Sequence, residues 1–158
     1  MAAVNQANRA KICRRLLIEY FDAGDYFVTY TYKVEQRPKD MTVALKDLQK
    51  ALRKLRPKYK KANTPFYWIR NIERGTKGAW HIHLVIKKTS GAAEWIEDAW
   101  EHGAIYITQI KKSRFYDEDF TKLANYMTKN EKTREKRSDG SKGKPRLKEA
   151  SYNHAKNM

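Results

Sequence analysis

Ala79-Trp80-His81-Ile82-His83-Leu84-Val85-Ile86 reads as one β-strand. Side chains alternate faces along a strand. Trp80, Ile82, Leu84 and Ile86 therefore point to one side, which becomes the core. His81 and His83 point together to the other. Just before this strand, Arg74-Gly-Thr-Lys-Gly78 is a turn, and Phe66–Glu73 is a second run of strand-favouring residues. Residues 66–86 thus form a hairpin with a five-residue loop. Upstream, Tyr26–Val34 is rich in Phe, Val, Thr and Tyr and predicts a strand. Met41, Leu45, Leu48, Leu52 and Leu55 recur every three or four residues, which predicts an amphipathic helix from Met41 to about Arg56, ended or kinked at Pro57. A helix over 5–21, with Ile12, Leu16, Tyr20 and Phe21 on its apolar side, precedes the first strand. Downstream, Ala92, Trp95, Ile96, Ala99 and Trp100 mark a helix closed by Gly103. Ala104–Ile110 is a strand, and Asp117 to about Lys129 is a last helix. The order after the first helix is β-α-β-β-α-β-α. It predicts an α+β domain of split-βαβ character: a single antiparallel-rich sheet with helices on one face and the other face free.

The chain has 158 residues, the length of one domain. Its mean hydropathy is low, at -0.89. Lys and Arg number 34 against 18 Asp and Glu, a formal net charge of +16. That imbalance favours a polyanionic partner, most often nucleic acid. No apolar run approaches the roughly 18 residues of a membrane span, so no membrane partner is expected. Lys11, Arg14 and Arg15 break up any signal-peptide core near the N-terminus. Cys13 is the single cysteine, which excludes an internal disulfide framework and a Cys-rich zinc site. A reducing cytosol is the expected compartment. No phosphate-binding G-x-x-x-x-G-K-[ST] loop occurs. From 131 to 158 there are 9 Lys/Arg and 4 Asp/Glu with few apolar residues. The expected organisation is a domain over 1–130 and a basic, partly mobile tail over 131–158.

Two imidazoles two residues apart on one strand face can share a metal ion. Glu73 ends the partner strand beside them and is a candidate third ligand. Two nitrogens and a carboxylate with open positions suit Mn²⁺ or Mg²⁺ bound to a phosphate. A lone H-x-H is equally the mark of two surface histidines; the shared face and Glu73 single this pair out. On the last helix, Phe120, Leu123, Ala124 and Met127 make one apolar side. Tyr126 lies about 110° off that stripe, at roughly 100° per residue. Lys129 is its neighbour three residues on. A tyrosine beside an ammonium, off the core stripe, suits a phenolate nucleophile.

The strand Phe27-Val-Thr-Tyr-Thr-Tyr32, Glu73 with His81-Ile-His83, and Tyr126-Met-Thr-Lys129 follow one another as the three motifs of HUH endonucleases. The chain resembles the rolling-circle replication initiator (Rep) proteins of bacterial plasmids, phages and integrative elements. The resemblance spans about 26 to 130, and Ser151–Met158 also looks like a segment that follows the motifs in some initiators. It implies a ferredoxin/RRM-like HUH nuclease fold. It also implies nicking of single-stranded or hairpin origin DNA with a divalent metal, through a 5′-phosphotyrosine link and a free 3′-OH that primes synthesis. Tyr126 would be the nucleophile, His81, His83 and Glu73 the metal ligands, and Lys129 the electrostatic partner. A host helicase and polymerase are implied, and the bacterial cytosol as location.

The residues expected to meet DNA lie near the metal ligands. Arg74 and Lys77 sit in the hairpin turn, and Lys111, Lys112 and Arg114 lead into the tyrosine helix. Tyr67 shares the face of Glu73 and is the expected base stacker, whereas Trp68 and Trp80 read as core. The many lysines and arginines of 41–61 read equally well as a solvated face. Two other readings fit parts of the pattern. One is a single-tyrosine HUH transposase, although those typically carry Gln where Lys129 stands. The other is a non-catalytic sheet-face nucleic-acid-binding module, which would place aromatics where this chain places two histidines. A relaxase would show a third histidine in the cluster.

Overall fold

A computed structural model describes residues 2–75, 77–113, 117–129 and 151–158. Five antiparallel strands form one sheet. They are β1 (Tyr26–Tyr30), β2 (Trp68–Arg74), β3 (Trp80–Ile86), β4 (Ile105–Gln109) and β5 (Tyr152–His154), in the order β4-β1-β3-β2-β5. The helices are α1 (Ala2–Tyr20), α2 (Met41–Lys61), α3 (Ala92–Asp98) and α4 (Thr121–Met127). The expected α+β class and the 66–86 hairpin are both present.

The alternation of β3 sorts the core. Trp80, Ile82, Leu84 and Ile86 join Val28, Tyr30 and Ile72 and bury the apolar stripe of α2 together with Ala92 and Ile96 of α3. The opposite face is not left wholly free. Ile69 and Val85 pack under Cys13, Leu17 and Phe21 at α1, and under Phe120, Ala124 and Met127 at α4. Helices α1 and α4 thus cover part of the face that carries His81 and His83. No helix among the described residues is long and apolar enough to cross a membrane.

Several element boundaries differ from the expectation, each for a local reason. Helix α2 continues through Pro57 to Lys61. Proline inside a helix costs about 3 kcal/mol. Here Pro57 lies on the exposed side, while Leu55 and Tyr59 on either side of it are fully buried. Each such side chain returns about 2–3 kcal/mol, which offsets the loss. The start of α2 is fixed by Asp40, whose carboxylate accepts from the Val43 N–H at 3.2 Å. On α1 the buried stripe is Ala10, Cys13, Leu17 and Phe21, and Ile12 is exposed. Two apolar rows, one residue apart, run side by side on that helix; the row facing α4 and Tyr152 is the one buried. Strand β1 stops at Tyr30, and Val34–Gln36 forms a 3-10 turn. Beyond β1 the chain is pressed against Gly103, where a Cβ would sit 2.5 Å from the Thr31 carbonyl oxygen.

Residues 151–158 lie inside the stretch expected as tail, and they complete the sheet. Strand β5 pairs with the outer edge of β2, Tyr152 opposite Asn71 and His154 opposite Ile69. Tyr152 reaches across to Cys13, and burial pushes that thiol up to about 12. The expectation of a mobile segment falls on 131–150, outside the described residues.

Candidate active site

Strand register assembles the site. Glu73 pairs with His81, and Asn71, His83, Thr29 and Tyr106 form one row across β2, β3, β1 and β4. Directly opposed residues share a face, so Glu73, His81 and His83 converge. Their ligand atoms all lie within 4.8 Å of one another. His83 is buried; Glu73 and His81 are half-buried and face solvent.

His83 is oriented from three sides. Its Nδ1 lies 3.2 Å from the Thr29 hydroxyl. Its Nε2 lies 3.1 Å from the Tyr126 phenol and 3.8 Å from Glu73 Oε1. Phe27 stacks on its ring at 5.6 Å. With the proton on Nδ1 and Thr29 accepting, Nε2 keeps its lone pair toward Glu73 and Tyr126. Burial, and then the neighbouring His83, hold the His81 imidazole below its ordinary pKa. It is therefore neutral at pH 7, the form that binds metal. Two neutral imidazoles and a carboxylate this close, with one side open to water, fit a divalent ion that also takes oxygen ligands.

Helix α4 delivers the tyrosine. It is seven residues long and has no side-chain cap at its first residue. Asp117 holds its start instead, accepting from the Lys122 and Leu123 N–H groups at 3.0 and 3.2 Å. Phe120, at φ 64, turns the chain there, so the helix begins four residues later than the pattern predicts. At the other end, Asn71 Nδ2 donates to the carbonyls of Met127 (2.7 Å) and Lys129 (2.6 Å). Ser151 also donates to Lys129 O at 3.3 Å, and Gln6 donates to Thr128 at 2.6 Å. Tyr126 is thus turned against the sheet and half-buried, with Phe27 edge-on at 5.8 Å. Burial, and then the Glu73 charge, raise its phenol pKa. The Lys129 ammonium lies 4.1 Å from its ring centre and opposes that shift.

The structure therefore brings together Glu73, His81, His83, Tyr126 and Lys129. The expected DNA contacts are more scattered. Lys111 is exposed and lines a cavity of about 520 Å³ beside Tyr126, together with Phe27, Gln109 and Lys122. Lys112 is exposed with its ammonium over Phe120, and Lys77 is exposed in the hairpin turn. Arg74 is not brought to the site. It shares the parity of Trp80 and lays its guanidinium over that ring at 6.0 Å, on the α2 side. Tyr67 is half-buried, edge-on to Tyr20 at 4.7 Å within the α1 packing. Arg114 lies outside the described residues. Sequence reasoning singled out neither Asn71 nor Thr29. Asn71 has the parity of Glu73 and Thr29 that of Phe27, and those are the signals that could have found them.

Residues 25–131 match the family described as replication-associated protein ORF2, a family of rolling-circle replication initiators. The chain belongs to this family. The match covers about two thirds of the sequence and contains every element from β1 to α4, and so every residue of the cluster. Helix α1 and strand β5, which hold α4 from outside, flank the matched stretch. No curated protein and no solved structure gives a significant match.

Proposed function

We propose that this initiator nicks and rejoins single-stranded origin DNA through a covalent link to Tyr126. The observation that carries the reading is the Tyr126 phenol 3.1 Å from His83 Nε2, within the Glu73–His81–His83 cluster. In the forward step a Tyr126 Oη–P bond forms and the P–O3′ bond breaks. The phenol proton ends on the 3′ oxygen. The product is a 5′-phosphotyrosine and a free 3′-OH, and attack by a 3′-OH reverses the step without an energy source. A divalent ion, Mn²⁺ or Mg²⁺, held by His81, His83 and Glu73 would polarise the scissile phosphate and cancel the Glu73 charge that raises the phenol pKa. Lys129 steadies the phenolate as its proton leaves. Phe27 and the α4 packing keep the phenol aimed at the phosphate position.

Lys77, Lys111 and Lys112 line the approaches and contact phosphates, with Arg114 on the same lead into α4. The free 3′-OH primes synthesis. The sequence carries no nucleotide-binding loop, so strand separation and polymerisation fall to a helicase and polymerase of a bacterial host, in its cytosol. The family match favours initiation over transposition. The test mixes the protein, Mn²⁺ and a single-stranded DNA library with a randomised window, then runs a denaturing gel. A protein–DNA band that survives denaturant in the parent and vanishes in Tyr126→Phe supports the reading. A band that persists in Tyr126→Phe moves the nucleophile elsewhere.

A further inference from the structure

The sheet face that carries the histidines has two unlike halves. Toward β2 and β5, Ile69, Val85 and Tyr152 are buried under α1 and α4. Toward β4 it is open and polar: Tyr106, Thr108 and Gln109 are exposed. A single strand leaving the Glu73–His81–His83 cluster meets helices on one side and open sheet on the other.

Tyr106 stands on that open half. It pairs with Thr29, which pairs with His83, so its ring rises on the same face, two strands from the cluster. At the usual strand spacing that is about 10 Å. Its neighbours Ile105 and Ile107 pack against the opposite face, into the α2 core. Tyr106 is 61% exposed, and among the described residues it is the one aromatic ring left so open. Tyr20, Tyr67, Phe27 and Trp100 all pack against other rings. An unpartnered ring on a flat polar surface, in a chain of charge +16, has the chemistry of a base-stacking platform.

We propose that Tyr106 stacks an unpaired nucleobase of single-stranded DNA running from the cluster across β1 to β4. The direction of the strand rests on the nicking reading; the stacking does not. Phosphate contacts hold the backbone, and the ring gives the base a face to rest on. Stacking of this kind tolerates any base, so a simple oligomer serves as probe.

The experiment uses the full chain and fluorescein-labelled oligothymidylate, read by anisotropy. Tyr106→Ala should weaken binding about tenfold, while Tyr106→Trp and Tyr106→Phe restore it. In Tyr106→Trp the fluorescence gained over the parent should be quenched as oligomer is added. Affinity for inorganic polyphosphate should be the same in all four proteins, because the ring contributes no charge. An Ala variant that binds oligothymidylate as tightly as the parent overturns the proposal, as does a Trp variant with no quenching. If Tyr106→Ala weakens binding but the parent forms no Tyr126 adduct, the platform stands and the nicking reading falls. If the adduct forms and binding ignores Tyr106, the platform alone falls.

Discussion

His83 touches four groups, and its orientation decides what the cluster can hold. Thr29 sits at Nδ1, and Tyr126 and Glu73 sit at Nε2. A histidine that ligates metal is usually tied at its other nitrogen, and loss of that tie costs 10- to 100-fold in affinity. Thr29→Val keeps the shape of the side chain and removes the hydroxyl. Isothermal titration with Mn²⁺ should show at least a tenfold weaker site in Thr29→Val. His81→Ala and His83→Ala should lose the site altogether. Unchanged affinity in the two alanine variants would remove the metal from the account. These residues differ in how far the sequence exposes them. His81 and His83 follow from alternation alone, and Glu73 from its place in the hairpin. Thr29 does not, because a threonine in a strand is already explained by strand propensity, and only the register puts it opposite His83.

At the scale of the element, α4 is too short to be stable by itself. Neighbours hold it: Asp117 at its start, and Asn71, Ser151 and Gln6 at its end. Asn71 is buried, and both of its amide hydrogens are used on the last carbonyls of α4. Asn71→Ala strips the Met127 and Lys129 carbonyls of that donor. Loss of a buried partner costs about 1–3 kcal/mol, and Tm should fall accordingly. Well below the lowered Tm, the rate of adduct formation should still fall about 100-fold, since displacement of an attacking group by an ångström has that effect. Thermal unfolding by circular dichroism and a single-turnover gel read the two quantities separately. An unchanged Tm and rate would show that Asn71 does not position the helix. The helix is visible in the sequence as a periodic run from 117, but its start is not. Phe120 in a left-handed conformation and the side-chain grip of Asp117 are tertiary choices. Strand β5 is harder still. It is three residues long and pairs Tyr152 with Asn71, far away along the chain, so no local signal marks it. The course of α2 through Pro57 likewise depends on what buries Tyr59, which the helical pattern does not contain.

At the scale of the whole molecule, the charge of +16 and the two-faced sheet divide the work. Helix α2 packs on one face and points its lysines and arginines outward. The cluster occupies the other face, beside α4. The sequence shows the sheet and the charge plainly. It does not show that α1 comes back over the second face, because its two apolar rows leave open which one is buried. Binding of single-stranded DNA should weaken with salt in proportion to the phosphates contacted. If Lys77, Lys111, Lys112 and Lys129 each meet one, log K against log salt should fall with a slope near about -3. A flat response would mean that these charges do not meet the DNA backbone. The most direct measurement is where the DNA becomes attached. The protein is incubated with Mn²⁺ and a single-stranded library that yields an adduct; the adduct is digested with nuclease and trypsin, and the modified peptide is sequenced by tandem mass spectrometry. The account predicts a residual nucleotide phosphate on the phenol oxygen of Tyr126. A phosphate on any other residue, with Tyr126 unmodified, would contradict it.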